Sequence, residues 1–318
     1  AFNALVQNDP IPAFPKDPNT GTDWIYPNVP DPTQINDIWS DLTKCWWLCN
    51  VKNSGPNLTE RMLWFYHTHI PVIMTRISWN PQLAIDYLRV LRHYSLGNYK
   101  DLVKAMCIDN AMLIHLDGNL NIKSVPQENF GREFLELFTV GKGPEVALGD
   151  YTNFTEQDVK SLTKVLTGWG VDTTFQTVDP VTGIPCGKVK ADNNGNATQH
   201  DVPGKQISPA FSSQTIQTPN VANWTCSTAS VYTELGAAVD MVFSSVNTAK
   251  HIVRRLYRQF VYFEITPTIE TDIIEPLANT LMANNYDLIS VLEVLLQSEH
   301  FYDLDSPPTS DNSMAAII

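Results

Sequence analysis

Apolar residues recur at intervals of three and four through most of the chain, the spacing of helices with one buried face. This pattern predicts helices near 33–50, 59–77, 81–95, 98–116, 126–139, 155–168, 229–244, 247–262, 268–283 and 287–298. Local chemistry marks several of their ends. Asn80-Pro81 places a cap before a proline at the first helical position. Leu96-Gly97-Asn98 reads as a stop followed by a new cap. Thr155 with Asp158, and Ser124 with Gln127, have capping-box spacing, and Phe154 is placed to staple onto Val159.

Three stretches depart from this rhythm. Residues 1–32 hold seven of the 21 prolines, a density that favours extended chain. Residues 304–318 open on Asp305-Ser306-Pro307-Pro308 and close on Ala315-Ala316-Ile317-Ile318. Arms of this kind need something to hold them, either their own domain or a neighbouring copy. Residues 171–227 are rich in Thr, Asn, Gly, Ser and Pro and read as loops with short strands. The expectation is a mainly α protein: a Pro-rich arm (1–32), one helical domain (33–303) with an insertion at 171–227, and a C-terminal tail (304–318).

Composition narrows the function classes. Lys and Arg number 21 against 34 Asp and Glu, a formal charge of −13, which argues against nucleic acid and anionic membrane surfaces. No apolar run reaches the roughly 18–20 residues of a membrane span. Of the five cysteines, Cys45, Cys49 and Cys107 fall on helices and read as buried small hydrophobes. Cys186 and Cys226 lie in the polar insertion, where a disulfide would staple it. Sequons occur at Asn57, Asn153, Asn196 and Asn223. The chain opens at Ala1 without Met, which reads as a processed product. Together these features point to an extracellular or cell-surface setting.

Several clusters could carry chemistry. In 127–138, Phe130, Phe134, Leu137 and Phe138 form an apolar stripe, while Glu128, Arg132, Glu133 and Glu136 supply charge beside it. The basic stripe Lys250, Arg254 and Arg258, beside His251 and Arg255, is the expected ion-pair partner of those carboxylates, or else an anion-binding face. Asp117, Asn119 and Asn121, with Glu128 eleven residues after Asp117, have calcium-loop spacing, although Ile122 stands where the turn glycine belongs. His67 and His69 diverge by about 200° on a helix, so either would need a distant partner such as His200 or Asp201. No cofactor is expected; calcium or another divalent metal is the alternative. Nucleophile-elbow, phosphate-loop, dinucleotide and His-Glu-x-x-His signatures are missing.

The order of motifs resembles the bacterial domain-of-unknown-function 1800 family over roughly 60–302. The residues concerned are Tyr99 to Asp109, Ala111 to Asp117, Gln127 to Gly141, Thr155 to Val159, Leu166-Thr167-Gly168-Trp169, His200-Asp201 with Lys205, and His251 to Leu256. Gly131 stands where the family usually has Ala. The resemblance implies an exported, mostly helical protein without established activity, often encoded beside sulfatase-like exported proteins, which are the implied partner.

Three functions are compatible with these readings. The first is an exported structural or assembly protein that self-associates through its arms. The second is a metal-assisted hydrolase using Glu128, Glu133, His67, His69, His200 and Asp201 around one pocket. The third is a glycan- or peptide-binding module built on the eight Trp and eleven Tyr.

Overall fold

The computed structural model describes residues 2–7, 9–16, 21–23, 37–78 and 80–302. The C-terminal tail, and the arm outside these ranges, lie beyond the described residues. Thirteen labelled helices follow: α1 (Phe2–Leu5), α2 (Asp37–Asn53), α3 (Thr59–His69), α4 (Pro81–His93), α5 (Tyr99–Met106), α6 (Asn110–His115), α7 (Asn129–Glu133), α8 (Glu156–Val165), α9 (Thr228–Phe243), α10 (Val246–Phe260), α11 (Pro267–Ile269), α12 (Glu275–Ala283) and α13 (Leu288–Gln297). Three two-stranded antiparallel ladders complete the architecture. β1 (Glu145–Ala147) pairs with β2 (Asp150–Tyr151), β3 (Trp169–Gly170) with β4 (Lys188–Val189), and β5 (Lys205–Gln206) with β6 (Thr215–Ile216). The chain is mainly α, as its periodicity predicts.

The caps explain where most helices begin. Asn80 accepts from Gln82 N and Leu83 N, with Pro81 opening α4; Asn98 accepts from Asp101 N. Before α8, Asp158 Oδ2 accepts from Thr155 N (2.8 Å), and Phe154 and Val159 are both fully buried beside this box. Four expected spans end early or divide. The helix expected over 98–116 breaks because Asp109 turns extended and caps α6, accepting from Met112 N at 2.8 Å. The helix expected over 59–77 stops at His69, just before Pro71. The helix expected over 126–139 starts at Asn129, and the Ser124–Gln127 box does not form. Gln127 N donates instead to the buried Asn121 Oδ1 (3.0 Å). This helix finishes as a π-turn over Phe134–Phe138, where Thr139 Oγ1 takes the Phe134 carbonyl (2.7 Å) and Arg255 takes that of Leu137. A second π-turn, Glu270–Ile274, precedes Pro276, whose ring cannot continue the regular ladder.

One apolar core runs through the helices and the insertion together. Phe130, Phe134, Val159, Trp169, Ile184, Ile207, Ile216, Val239, Ile252 and Leu292 belong to the same buried cluster. The insertion therefore contributes its own apolar residues to this core. The disulfide expected between Cys186 and Cys226 is not formed; among the described residues both are free, buried thiols. Cys186 N is tied to Thr177 O, and the Cys226 carbonyl accepts from Ala197 N, so the two sit on different turns. Cys107 is buried as expected, but Cys45 and Cys49 are exposed. Gly131 has a packing reason: a Cβ there would lie 3.0 Å from Thr163 N and 3.1 Å from Val159 O on α8.

The described part of the arm lies on its own domain. Leu5 O accepts from Leu58 N (2.8 Å), and Asp9 N donates to Thr59 Oγ1 (3.1 Å). Further along, Pro10 O accepts from Arg92 (3.2 Å), Ala13 O accepts from Trp46 Nε1 (3.1 Å), and Phe14 lies 4.5 Å beneath the Arg89 guanidinium. Residues 9–14 thus bind across α2, α3 and α4.

Two buried carboxyls set a pH dependence. Burial pushes Asp109 up to about 7, and the nearby Asp86 charge adds to the shift; burial pushes Asp86 up to about 6 against hydrogen bonds from Gln82 and Arg89. Both hold a proton more tightly folded than unfolded. Their stabilising contribution is therefore complete below about pH 4 and is lost as pH rises through about 6 to 7. Asp109→Asn keeps the cap oxygen and removes the charge. Urea unfolding should show this variant more stable than the parent at pH 8, by on the order of 1–2 kcal/mol, and nearly equal to it at pH 4. An equal gap at both pH values would remove Asp109 as the cause.

Candidate binding site

The sequence-selected residues stand in separate places. Arg132 makes a two-pronged pair with Glu156 of α8 (2.7 and 3.0 Å) and also reaches Glu128 at 3.2 Å. The Glu156 hydrogen bonds hold the Arg132 guanidinium above its usual range, and reciprocally the Glu156 carboxyl is lowered. Glu136 pairs with Lys142 at 3.0 Å. Glu133 is half-buried, and burial followed by the Glu136 charge raises its pKa.

The basic stripe on α10 does not meet these acids. Lys250 pairs with Glu275 (2.6 Å), Arg254 with Glu270 (2.5 and 2.8 Å), and Arg258 donates to Phe263 O (3.1 Å). Arg255 reaches the motif helix at the Leu137 carbonyl, and His251 of the same helix also faces that carbonyl. The expected pairing is corrected because the motif acids face α8 and the loop after the π-turn, whereas α10 packs on the 270–283 segment. The true partners Glu156, Glu270 and Glu275 are ordinary surface-type acids whose roles only tertiary packing reveals.

The calcium-loop spacing folds into other uses. Asp117 takes a left-handed backbone (φ 60°) and pairs with Arg76 at 2.8 Å. The Asn119 carbonyl accepts from Lys190 Nζ (2.5 Å). Asn121 is fully buried and donates to Thr163 O (2.8 Å). On α3, His67 Nδ1 meets Tyr87 Oη at 3.1 Å, while His69 Nδ1 meets Phe65 O at 2.6 Å. Burial lowers both imidazoles, that of His69 to about 4 with help from Arg255. Among the described residues, no three His, Cys, Asp or Glu side chains gather at metal-binding distance.

His200 and Asp201 belong to a sealed polar knot. The His200 ring contacts Thr167 O through Nδ1 (2.9 Å) and Glu234 Oε2 through Nε2 (2.7 Å). Glu234 also faces Lys205 Nζ at 2.6 Å and accepts from Thr218 Oγ1 at 2.6 Å. Lys205 donates to Thr218 and to the Asp201 carbonyl, and Asp201 N donates to Thr167 Oγ1 (2.8 Å). The side chains of His200, Lys205 and Glu234 have no exposed surface. Gly168 makes room for this arrangement: its φ is +85°, and a Cβ would lie 2.9 Å from His200 N. The knot fastens the insertion to α9 and has no opening for a substrate. Sequence reading selected His200 and Asp201 but missed Glu234, which sits unremarkably among the apolar positions of α9.

An open pocket lies elsewhere, between α5, α9 and the insertion, with a volume of about 500 Å³. Ala105, Ile108, Cys186, Ala229 and Leu235 supply apolar lining; Tyr94 and Tyr232 add rings; Asp101, Lys104 and Asp179 supply charge. Asp179 is fixed by its own turn, accepting from Val181 N and Thr182 N at 2.8 Å each. Tyr232 is held edge-on by the buried Trp169, ring centroids 4.8 Å apart. Tyr94 is only 7% exposed. Burial, then the Asp179 and Asp101 charges, raises its pKa, so it stays a donor. Burial likewise raises Cys186 to about 12, which keeps that thiol protonated and inert. These residues come from four separated segments, so no local motif announces them.

The family match completes the picture. The model of the family described as a protein of unknown function, DUF1800, matches residues 22–314. The chain belongs to the DUF1800 family. No curated protein and no solved structure matches it. The long central motif of this DUF1800 chain builds helix packing and the Arg132–Glu156 clamp, and its His-Asp and Lys positions build the knot.

Removing one member of the knot leaves buried charge without a partner. Glu234→Ala should cost about 3–5 kcal/mol in urea unfolding, whereas Glu128→Ala, on the exposed side of its pair, should cost under about 1 kcal/mol. Equal losses for the two variants would contradict the assignment of the knot as the main polar fastening.

Proposed function

We propose that the protein is an exported binding module whose site is the tyrosine pocket, and that the pocket takes a peptide segment carrying a basic group beside an apolar one. One observation carries the reading: a 500 Å³ opening brings the rings of Tyr94 and Tyr232 together with the carboxylates of Asp101 and Asp179 over an apolar floor. The charged lining holds two carboxylates and one ammonium, so it favours a cationic group. The tyrosine rings add cation–π attraction, and the apolar lining takes an aliphatic side chain.

The other two readings have less support. The hydrolase candidates Glu128, Glu133, His67, His69, His200 and Asp201 do not line this pocket, and among the described residues they form no group of three that could hold a metal. Assembly through the arms draws no support from the described arm, since Asp9 N, Pro10 O and Ala13 O are hydrogen-bonded within the same chain.

The test is fluorescence anisotropy with a fluorescein-labelled heptapeptide of alternating leucine and lysine. Binding should weaken about tenfold, about 1.4 kcal/mol, in Asp179→Asn, whose amide oxygen still accepts the turn hydrogen bonds. It should weaken about fivefold in Tyr94→Phe, and it should weaken with added salt. The reading falls if the peptide does not bind, if both variants bind as the parent does, or if an N-acetylglucosamine trimer occupies the pocket instead.

A further inference from the structure

Helix α2 carries a feature that the pocket does not use. Its outer surface exposes two free thiols, Cys45 and Cys49, together with Leu48 at 66% exposure. The two cysteines are one helical turn apart and so share a face. Asp41, paired with Lys44 at 3.0 Å, stands toward the start of the helix and Lys52 in its last turn.

We propose that two copies of this chain pair through this face, with their α2 helices antiparallel about a twofold axis, and that Cys45 of each copy forms a disulfide with Cys49 of the other. An axis passing beside residue 47 sets each Cys45 opposite the other copy's Cys49. Helices packed about 9–10 Å apart, with Cα atoms about 2.3 Å from each axis, bring facing Cα atoms to about 4.4–5.4 Å. That lies within the roughly 4.4–6.8 Å that a disulfide spans. The same register sets Asp41 level with Lys52 of the other copy, within about one 1.5 Å helical step. The Asp41 carboxylate, shared with Lys44 of its own chain, accepts this second cation, which favours the antiparallel arrangement that the thiols need. A parallel pair would set like charges together.

The bond requires an oxidant, and a small-molecule disulfide such as oxidised glutathione supplies it. The Cys45 thiolate attacks one glutathione sulfur and expels a glutathione thiolate. The Cys49 thiolate of the other copy then displaces the second glutathione from Cys45. Two protein thiols become one disulfide, one glutathione disulfide becomes two thiols, and the protons pass to the released thiolates. A single helix pair buries less than the roughly 1,000 Å² of a stable interface, so the reduced copies separate. Cys107 and Cys186 do not compete, since both are buried and their thiols are raised to about 12.

The experiment uses the full chain equilibrated with oxidised glutathione or with dithiothreitol, read by light scattering and by peptide mapping without reduction. The expected result is a dimer with a Cys45–Cys49 cross-link between copies in the first condition and a monomer in the second. The double variant Cys45→Ser, Cys49→Ser should remain monomeric in both. Leu48→Asp, which keeps both thiols, should slow cross-linking about fivefold. A monomer under oxidising conditions, a bond within one copy, a stable glutathione adduct, or a dimer joined through other cysteines would each overturn the proposal.

Discussion

Glu234 is the point on which the architecture turns. A carboxylate with no exposed surface is tolerable only when fully matched, and here His200, Lys205 and Thr218 surround it. Each comes from the insertion, while Glu234 belongs to α9. The knot therefore does for the insertion what a covalent bridge would do: it fixes a polar, loop-rich stretch against the helical core. Its cost is the desolvation of charge, offset by the close pairing of Glu234 with His200, Lys205 and Thr218. That Lys205 and His200 are consumed here also bears on the wider electrostatics. In a chain with a formal charge of −13, the cations are few. Most of those described pair with particular carboxylates or carbonyls.

Much of the fold is legible in the sequence because helices are local. Asn80, Asn98 and Thr155 each set a helix start from chemistry within four residues. Legibility fails where a distant group wins. Gln127 reads as half of a capping box with Ser124, but its amide is claimed by Asn121, which is itself held by Thr163. The helix after it reads as regular to residue 139, but Arg255 and Thr139 capture its carbonyls and widen it into a π-turn. The disulfide was a reasonable inference from polarity around Cys186 and Cys226. It failed because the insertion buries Ile184, Ile207, Phe211 and Ile216 in the common core, which composition alone does not reveal.

The candidate site was scarcely legible, and for a different reason. Charge-rich motifs attract notice, yet in this molecule density of charge marks structure. The Glu128–Arg132 segment is a clamp and the His200–Asp201 segment is a fastening. The pocket is built from Tyr94, Asp101, Asp179 and Tyr232, residues that look ordinary one at a time and meet only after the chain has folded. What distinguishes the site is the meeting of two tyrosine rings and two carboxylates around one opening, and this is a property of three-dimensional arrangement.

The docked arm has a kinetic consequence. Its hydrogen bonds join residues far apart in sequence: Asp9 with Thr59, fifty positions on, and Pro10 with Arg92, eighty-two positions on. Closing such loops carries an entropic penalty that local helices do not incur. During synthesis, residues 2–16 emerge ahead of every surface that receives them. They must remain extended and solvated until α4 has formed and packed. The earliest stretch of the described chain to leave the ribosome is thus among the last to lock, and its closure reports that α2, α3 and α4 have already come together.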